Sequence, residues 1–240
     1  MSRFLVLFAR EPARQAREKG LGSAAVELFR GFAAGWRDSA RKIGAQLVVA
    51  TPPEDIAGWR QVFRGAPDPI WIVQRGGTFG LRLEDAARQA AALGGHSVLV
   101  GGDVAASASL LSEVFRAVEH GADAAVSPAP DGGVSLLALS QADLDLLRGI
   151  RERRRTVLVD LLRALGERGR NARIVPPAAD VDGRSDLRAL LREQKIPASL
   201  VPAARCALAP LIFLRHRSPR LSLSGALHGP PILRGPPLPA

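Results

Sequence analysis

Apolar and polar positions alternate along this chain in two periods. Phe4 to Phe8 is an unbroken apolar run, the pattern of a parallel strand covered on both faces. From Ser23 to Lys42 the apolar residues Ala25, Leu28, Phe29, Phe32 and Trp36 recur at helical spacing, with Ser23 as N-cap and Gly44 past the end. Gln46 to Ala50 reads as a second strand stopped by Thr51-Pro52-Pro53, and a short helix follows around Asp55 to Phe63. The alternation then repeats: strand Ile70 to Val73, helix Leu81 to Leu93, strand Ser97 to Val100, helix Ser109 to His120, strand Ala124 to Ser127. After a Gly-Gly turn comes strand Val134 to Ala138. Gln141 to Gly149 and Val157 to Arg168 read as helical, Arg173 to Val175 as a last strand, and Arg184 to Glu193 as a last helix capped by Ser185.

Strands and helices joined by short glycine-marked connections predict an α/β fold, a three-layer α/β/α sandwich around a mostly parallel, doubly wound sheet. Ligands on such sheets gather at the carboxyl ends of the strands. From Pro197 onward the texture changes: half of the 18 prolines and no acidic residue fall there. The expected organisation is a domain over 1–196 and a Pro/Arg-rich extension over 197–240, mobile because proline breaks helix and central strand alike.

Composition narrows the function classes. The 240 residues are 47% hydrophobic and 23% charged, the balance of a packed soluble protein. A net charge of +10 raises nucleic-acid binding, but the arginines are scattered over helical faces, so that reading ranks below an ordinary basic surface. One cysteine, Cys206, excludes an internal disulfide framework and a multi-cysteine zinc site. With no long apolar run for a signal peptide or membrane span, the expected location is the cytoplasm.

Four clusters carry candidate chemistry. In VLVGGDVAAS (98–107) a strand ends in two glycines and Asp103, which stands at the carboxyl edge of the sheet, placed to hold Mg²⁺ against a diphosphate or simply to cap the next helix. In PAPDGGVSLLAL (128–139) Asp131, Gly132 and Gly133 form a turn between two strands. In DVDGRSDL (180–187) Asp180 and Asp182 share one face of an extended segment, and Asp186 lies in the first turn of a helix. In AREPARQAREKGLG (9–22) Arg10, Arg14, Arg17 and Lys19 put positive charge beyond the first strand, where phosphates would sit, although the spacing is neither a Walker loop nor GxGxxG. A glycine-rich connection, QRGGTFGLRL (74–83), permits close approach of a base or sugar. The histidines show no metal-ligand spacing.

In this order the clusters resemble the bacterial glycosyltransferase-A-like family of radical-SAM/selenodomain-associated transferases, kin to 2-phospho-lactate guanylyltransferases and more distantly to molybdenum-cofactor nucleotidyltransferases. LFAREP, QRGGTFGLRLEDA, VLVGGDVAAS, PAPDGGVSLLAL and DVDGRSDL carry the resemblance, from Ser2 to Glu193. It implies a nucleotide-diphospho-sugar transferase-like sandwich and Mg²⁺- or Mn²⁺-assisted transfer of a nucleotidyl or glycosyl group from a nucleotide or nucleotide-sugar to an acceptor. Asp103 and Asp182 would be metal ligands, with Asp103 and Asp131 catalytic. Arg10, Arg14, Lys19, Gln74, Gly76, Gly132 and Gly133 would bind nucleotide or phosphate. The chain departs from the family pattern where Gly102 replaces a threonine, Val134 replaces a tyrosine, and Arg17-Glu18-Lys19-Gly20-Leu21 only approximates a Lys-Thr-Arg-Leu segment. Those departures keep in play a non-catalytic nucleotide- or partner-binding module on the same fold, and the scattered arginines and the C-terminal segment keep, below it, a basic nucleic-acid binder.

Overall fold

The apolar runs pair into one seven-stranded sheet. In the computed structural model, which describes residues 1–151 and 155–209, the strands are β1 (Ser2–Phe8), β2 (Gln46–Thr51), β3 (Ile70–Val73), β4 (Gly95–Gly101), β5 (Ala124–Pro128), β6 (Val134–Leu139) and β7 (Ala172–Ile174). Their order across the sheet is β3-β2-β1-β4-β6-β5-β7. β6 runs antiparallel to both of its neighbours, and every other pairing is parallel. The sheet is therefore mostly parallel, and the Asp131-Gly132-Gly133 turn reverses the chain into the one opposed strand.

Helices cover both faces. They are α1 (Pro12–Glu18), α2 (Val26–Lys42), α3 (Ile56–Val62), α4 (Phe79–Ala91), α5 (Ala108–Glu119), α6 (Val157–Glu167), α7 (Arg184–Arg192) and α8 (Val201–Leu208). Side chains alternate across β1: Leu5 and Leu7 face a core built with Trp36 and Phe115, while Phe4 and Val6 face a second core with Ala86, Leu144 and Leu161. This is the alternation a doubly covered strand requires. A third cluster joins Leu28, Phe29 and Phe32 of α2 to Leu187 and Leu190 of α7 and to Ala204 and Ala207 of α8.

Four local readings differ from the sequence expectation. The charged stretch after β1 contains α1, started by Pro12 at its first turn and by the Glu11 carboxylate, which accepts from the backbone N–H groups of Ala13 and Arg14. Ser23 opens a single 3-10 turn instead of capping α2, and α7 begins after Gly183 with no side-chain cap from Ser185. The compact unit runs from Met1 to Ala209, so α8 lies past the Pro197 start of the expected extension. Pro202 is tolerated in the first turn of α8, where no N–H bond is lost, and the Arg184 guanidinium donates to the carbonyls of Ala207 and Leu208 at the helix end. The rest of that extension, 210–240, lies outside the described residues. No helix among the described residues is long and apolar enough to cross a membrane.

Candidate active site

A cavity of about 250 Å³ opens at the carboxyl ends of β1 and β4. One connection shapes its rim. After β7 the chain runs extended across the ends of β5 and β6, held where the Ser127 hydroxyl donates to the Pro176 carbonyl and the Ser135 hydroxyl to the Ala178 carbonyl. It then bridges to the loop after β4, with Val104 opposite Asp180 and the Val181 N–H donating to the Asp103 carbonyl at 3.1 Å. From the other side the buried Trp36 indole donates to the Val104 carbonyl at 2.8 Å. The loop carrying Asp103 is thus fixed by backbone bonds from two directions.

These bonds bring distant acids together on one cation. The Lys19 ammonium lies 2.6 Å from Asp103 Oδ2 and 2.5 Å from Asp182 Oδ1, so the two carboxylate oxygens stand at most about 5.1 Å apart. Burial lowers the Lys19 pKa, but the attraction of Asp103 and the hydrogen bonds to Asp103 and Asp182 outweigh it and leave the pKa raised. Asp180 is unlike its neighbours: burial, then the charges of Asp103 and Asp182, push its carboxyl up to about 7. Asp103 does not cap a helix, because Ser107 caps α5 by accepting from the Leu110 N–H.

The glycines before Asp103 make room. A Cβ on Gly101 would stand 2.4 Å from Asp103 Oδ1, and one on Gly102 would stand 2.6 Å from the Ala9 Cβ and 2.8 Å from Gln15 Oε1. At 102 only a residue without a side chain fits beside Ala9 and α1, and at 101 an added Cβ would displace the Asp103 carboxylate. Gln15 itself drew no attention in the sequence. It is 7% exposed, lines the cavity, and its amide makes no hydrogen bond. Its amide is therefore free to meet a group that enters the cavity. Nothing in the sequence sets it apart from the charged residues around it.

Of the residues singled out from sequence, Arg10, Lys19, Gln74, Asp103, Asp131, Gly133 and Asp182 line the cavity, and Asp180 joins them. Arg14, Gly76 and Gly132 do not. Arg14 is paired with Glu18, Glu54 and Asp55. Gly76, at φ 130°, tucks its backbone against Leu81, and Gly132, at φ 91°, lies against the Arg155 carbonyl. The Gln74 amide donates to the Ala50 carbonyl at 2.8 Å, tying β3 to β2. Asp131 Oδ1 accepts from the Gly133 N–H at 2.9 Å, a turn-forming bond that leaves the carboxylate exposed at the rim. Arg10 is ion-paired with Glu18.

The donor set suits a small hard cation. Carboxylate oxygens converging on one point are what Mg²⁺ and Mn²⁺ take, with water and phosphate oxygens as their other ligands. Among the described residues no group of three or more His, Cys, Asp or Glu side chains is gathered to hold an ion by itself. The remaining ligands would have to come from a substrate and water.

The architecture, a mostly parallel sheet with one reversed strand, matches the nucleotide-diphospho-sugar transferase fold seen in solved structures. Residues 37–152 match the model of a family described as uncharacterized protein conserved in bacteria (DUF2064). No curated protein matches the chain. Among solved structures, a presumed nucleotide-diphospho-sugar transferase from Desulfovibrio desulfuricans G20 is 23% identical, covers 87% of this chain and 94% of its own, and has a TM-score of 0.73. The inositol-1-phosphate CTP transferase of T. maritima is 11% identical over 86% of this chain and 96% of its own, with a TM-score of 0.52. Rv0371c of Mycobacterium tuberculosis H37Rv, in complex with manganese, is 17% identical over 80% of this chain and 99% of its own, with a TM-score of 0.50. At these identities the likeness is one of fold.

Proposed function

We propose that the chain is a metal-assisted transferase that binds a nucleoside di- or triphosphate, or a nucleotide-sugar, and passes a nucleotidyl or glycosyl group to an acceptor. The radical-SAM-associated branch indicated by the sequence motifs is part of this reading. The observation that carries it is the convergence of Asp103 and Asp182 on one point at the carboxyl edge of the sheet. Asp103 and Asp182 would hold Mg²⁺ or Mn²⁺, which supplies charge neutralisation to the phosphates when bound. Lys19, released from the acids it now pairs, turns its ammonium to phosphate oxygens, and Arg10 adds a second positive charge at the mouth. Gln15 offers a free amide beside Asp103. Asp131 and Gly133 face the acceptor from the opposite rim. Gln74 braces the base side by joining β3 to β2, and Gly76 and Gly132 shape the loops around it.

The test is calorimetric. Wild-type protein is expected to bind at least one nucleoside triphosphate or nucleotide-sugar in the presence of Mn²⁺, and Asp103→Ala to weaken that binding by at least about a hundredfold with its melting temperature kept within a few degrees. Equal binding by both proteins would remove Asp103 from the site.

A second reading has its own observation. With Lys19 already neutralising both acids, and Gly102 and Val134 thinning the polar rim, a nucleotide-binding module without turnover also fits. Release of pyrophosphate or transfer of sugar by the purified protein would exclude it.

A further inference from the structure

Part of the cavity lining has a different chemistry from the acids gathered on Lys19. Its walls include Phe8, Phe79, Leu83, Leu99, Leu137 and Ile150. Phe8 and Phe79 meet edge to face with centroids 5.6 Å apart, and Leu99 and Leu137 are register partners across β4 and β6. None of these side chains can satisfy a phosphate or a sugar hydroxyl, and a polar group seated among them would lose its hydrogen bonds to water.

The cations lining the cavity differ as well. Arg10 is paired with Glu18, and Lys19 with Asp103 and Asp182. Arg82 and Arg151 line the same cavity and, among the described residues, neither has a carboxylate partner. Arg82, on α4 beside Leu83 and three residues past Phe79, brings a free guanidinium to the apolar wall. An anion meeting it breaks no internal ion pair.

We propose that this apolar part of the cavity is a subsite for a small amphiphilic anion. Its alkyl or aryl body lies against Phe8, Phe79, Leu99, Leu137 and Ile150, and its phosphate or carboxylate head meets Arg82, with Arg151 nearer the mouth. That the anion is the acceptor rests on the transferase reading above; that it binds does not. An acceptor with a hydrocarbon body buries apolar area on both sides.

The probe is a ladder of n-alkyl phosphates from methyl to hexyl, titrated into the full chain without metal or nucleotide. Affinity is expected to rise about threefold to fourfold per methylene over the first few carbons and then level as the cavity fills. Arg82→Gln weakens every member by about tenfold and keeps the slope, whereas Phe79→Leu flattens the slope and spares methyl phosphate. An affinity independent of chain length in the wild-type protein, a result that needs no variant, overturns the proposal. So does an Arg82→Gln protein that matches wild type. The two readings fail separately: a ladder seen in a wild-type protein that binds no nucleotide with Mn²⁺ supports the subsite and removes the transferase, and nucleotide binding without a ladder removes the subsite alone.

Discussion

Lys19 acts as an internal counter-ion for two acids that would otherwise repel. Its side chain is 11% exposed, and it stands within 2.6 Å of both Asp103 and Asp182. A divalent ion at this point must displace the ammonium, so the lysine competes with metal alone and cooperates once phosphate is present. Lys19→Met is therefore expected to tighten Mn²⁺ binding by about tenfold in the absence of nucleotide and to weaken nucleotide binding by a similar factor. Parallel changes in both titrations would contradict the competition. A second residue sets an acid limit on stability. The buried Asp143 carboxyl is raised by burial but lowered more by bonds from Ser140, Arg170 and Arg168, so its pKa lies below the ordinary value. The sign follows from linkage: a depressed folded pKa gives stability that is complete above the unfolded value, near 3.9, and is lost as pH falls through the folded one. Asp143→Asn is expected to lose about 1–3 kcal/mol at neutral pH and to show a shallower fall in melting temperature below pH 4 than wild type. Superimposable acid limbs would remove Asp143 from that role.

Elements that bury an apolar stripe were legible; elements that begin on charge or proline were not. β1, β2 and β3 announce themselves through apolar runs, and the hairpin into β6 through Asp131-Gly132-Gly133. In α1 the buried residues are Pro12, Gln15 and Ala16, too few apolar positions to show a helical period through four basic neighbours. In α8 Pro202 reads as a breaker although it occupies the first turn. The site was legible in part for the same physical reason. Asp103 follows a strand and so belongs at its carboxyl edge, whereas its meeting with Asp182 depends on the 175–182 segment crossing β5 and β6, a tertiary path with no local signature. α8 supplies the prediction at this scale. Leu200 just before it fills the space left by Gly31, where a Cβ would come within 2.2 Å, and Ala204 and Ala207 are buried against α2 and α7. Ending the chain at Pro197 is expected to cost about 3 kcal/mol, or roughly 6–12 °C in melting temperature. A thermal scan unchanged by that truncation would show the third cluster to be dispensable.

Across the whole molecule, charge and architecture divide the work. The net charge of +10 resides in 33 basic and 23 acidic residues, and much of the acid is consumed in pairs such as Arg3 with Glu119, Arg148 with Glu84 and Arg168 with Asp145. At the cavity mouth the balance is local, two acids on one lysine. The direction of β6 has a further effect. Because it opposes its neighbours, its entry and not its exit lies beside the ends of β1 and β4, and the tip of a hairpin borders the ligand where a parallel strand would offer the root of a crossover. A hairpin tip is a modular part: residues can be inserted or exchanged between Ala129 and Gly133 without rethreading the chain through another layer, so this one corner is where descendants of the scaffold can vary while leaving the packed sheet untouched.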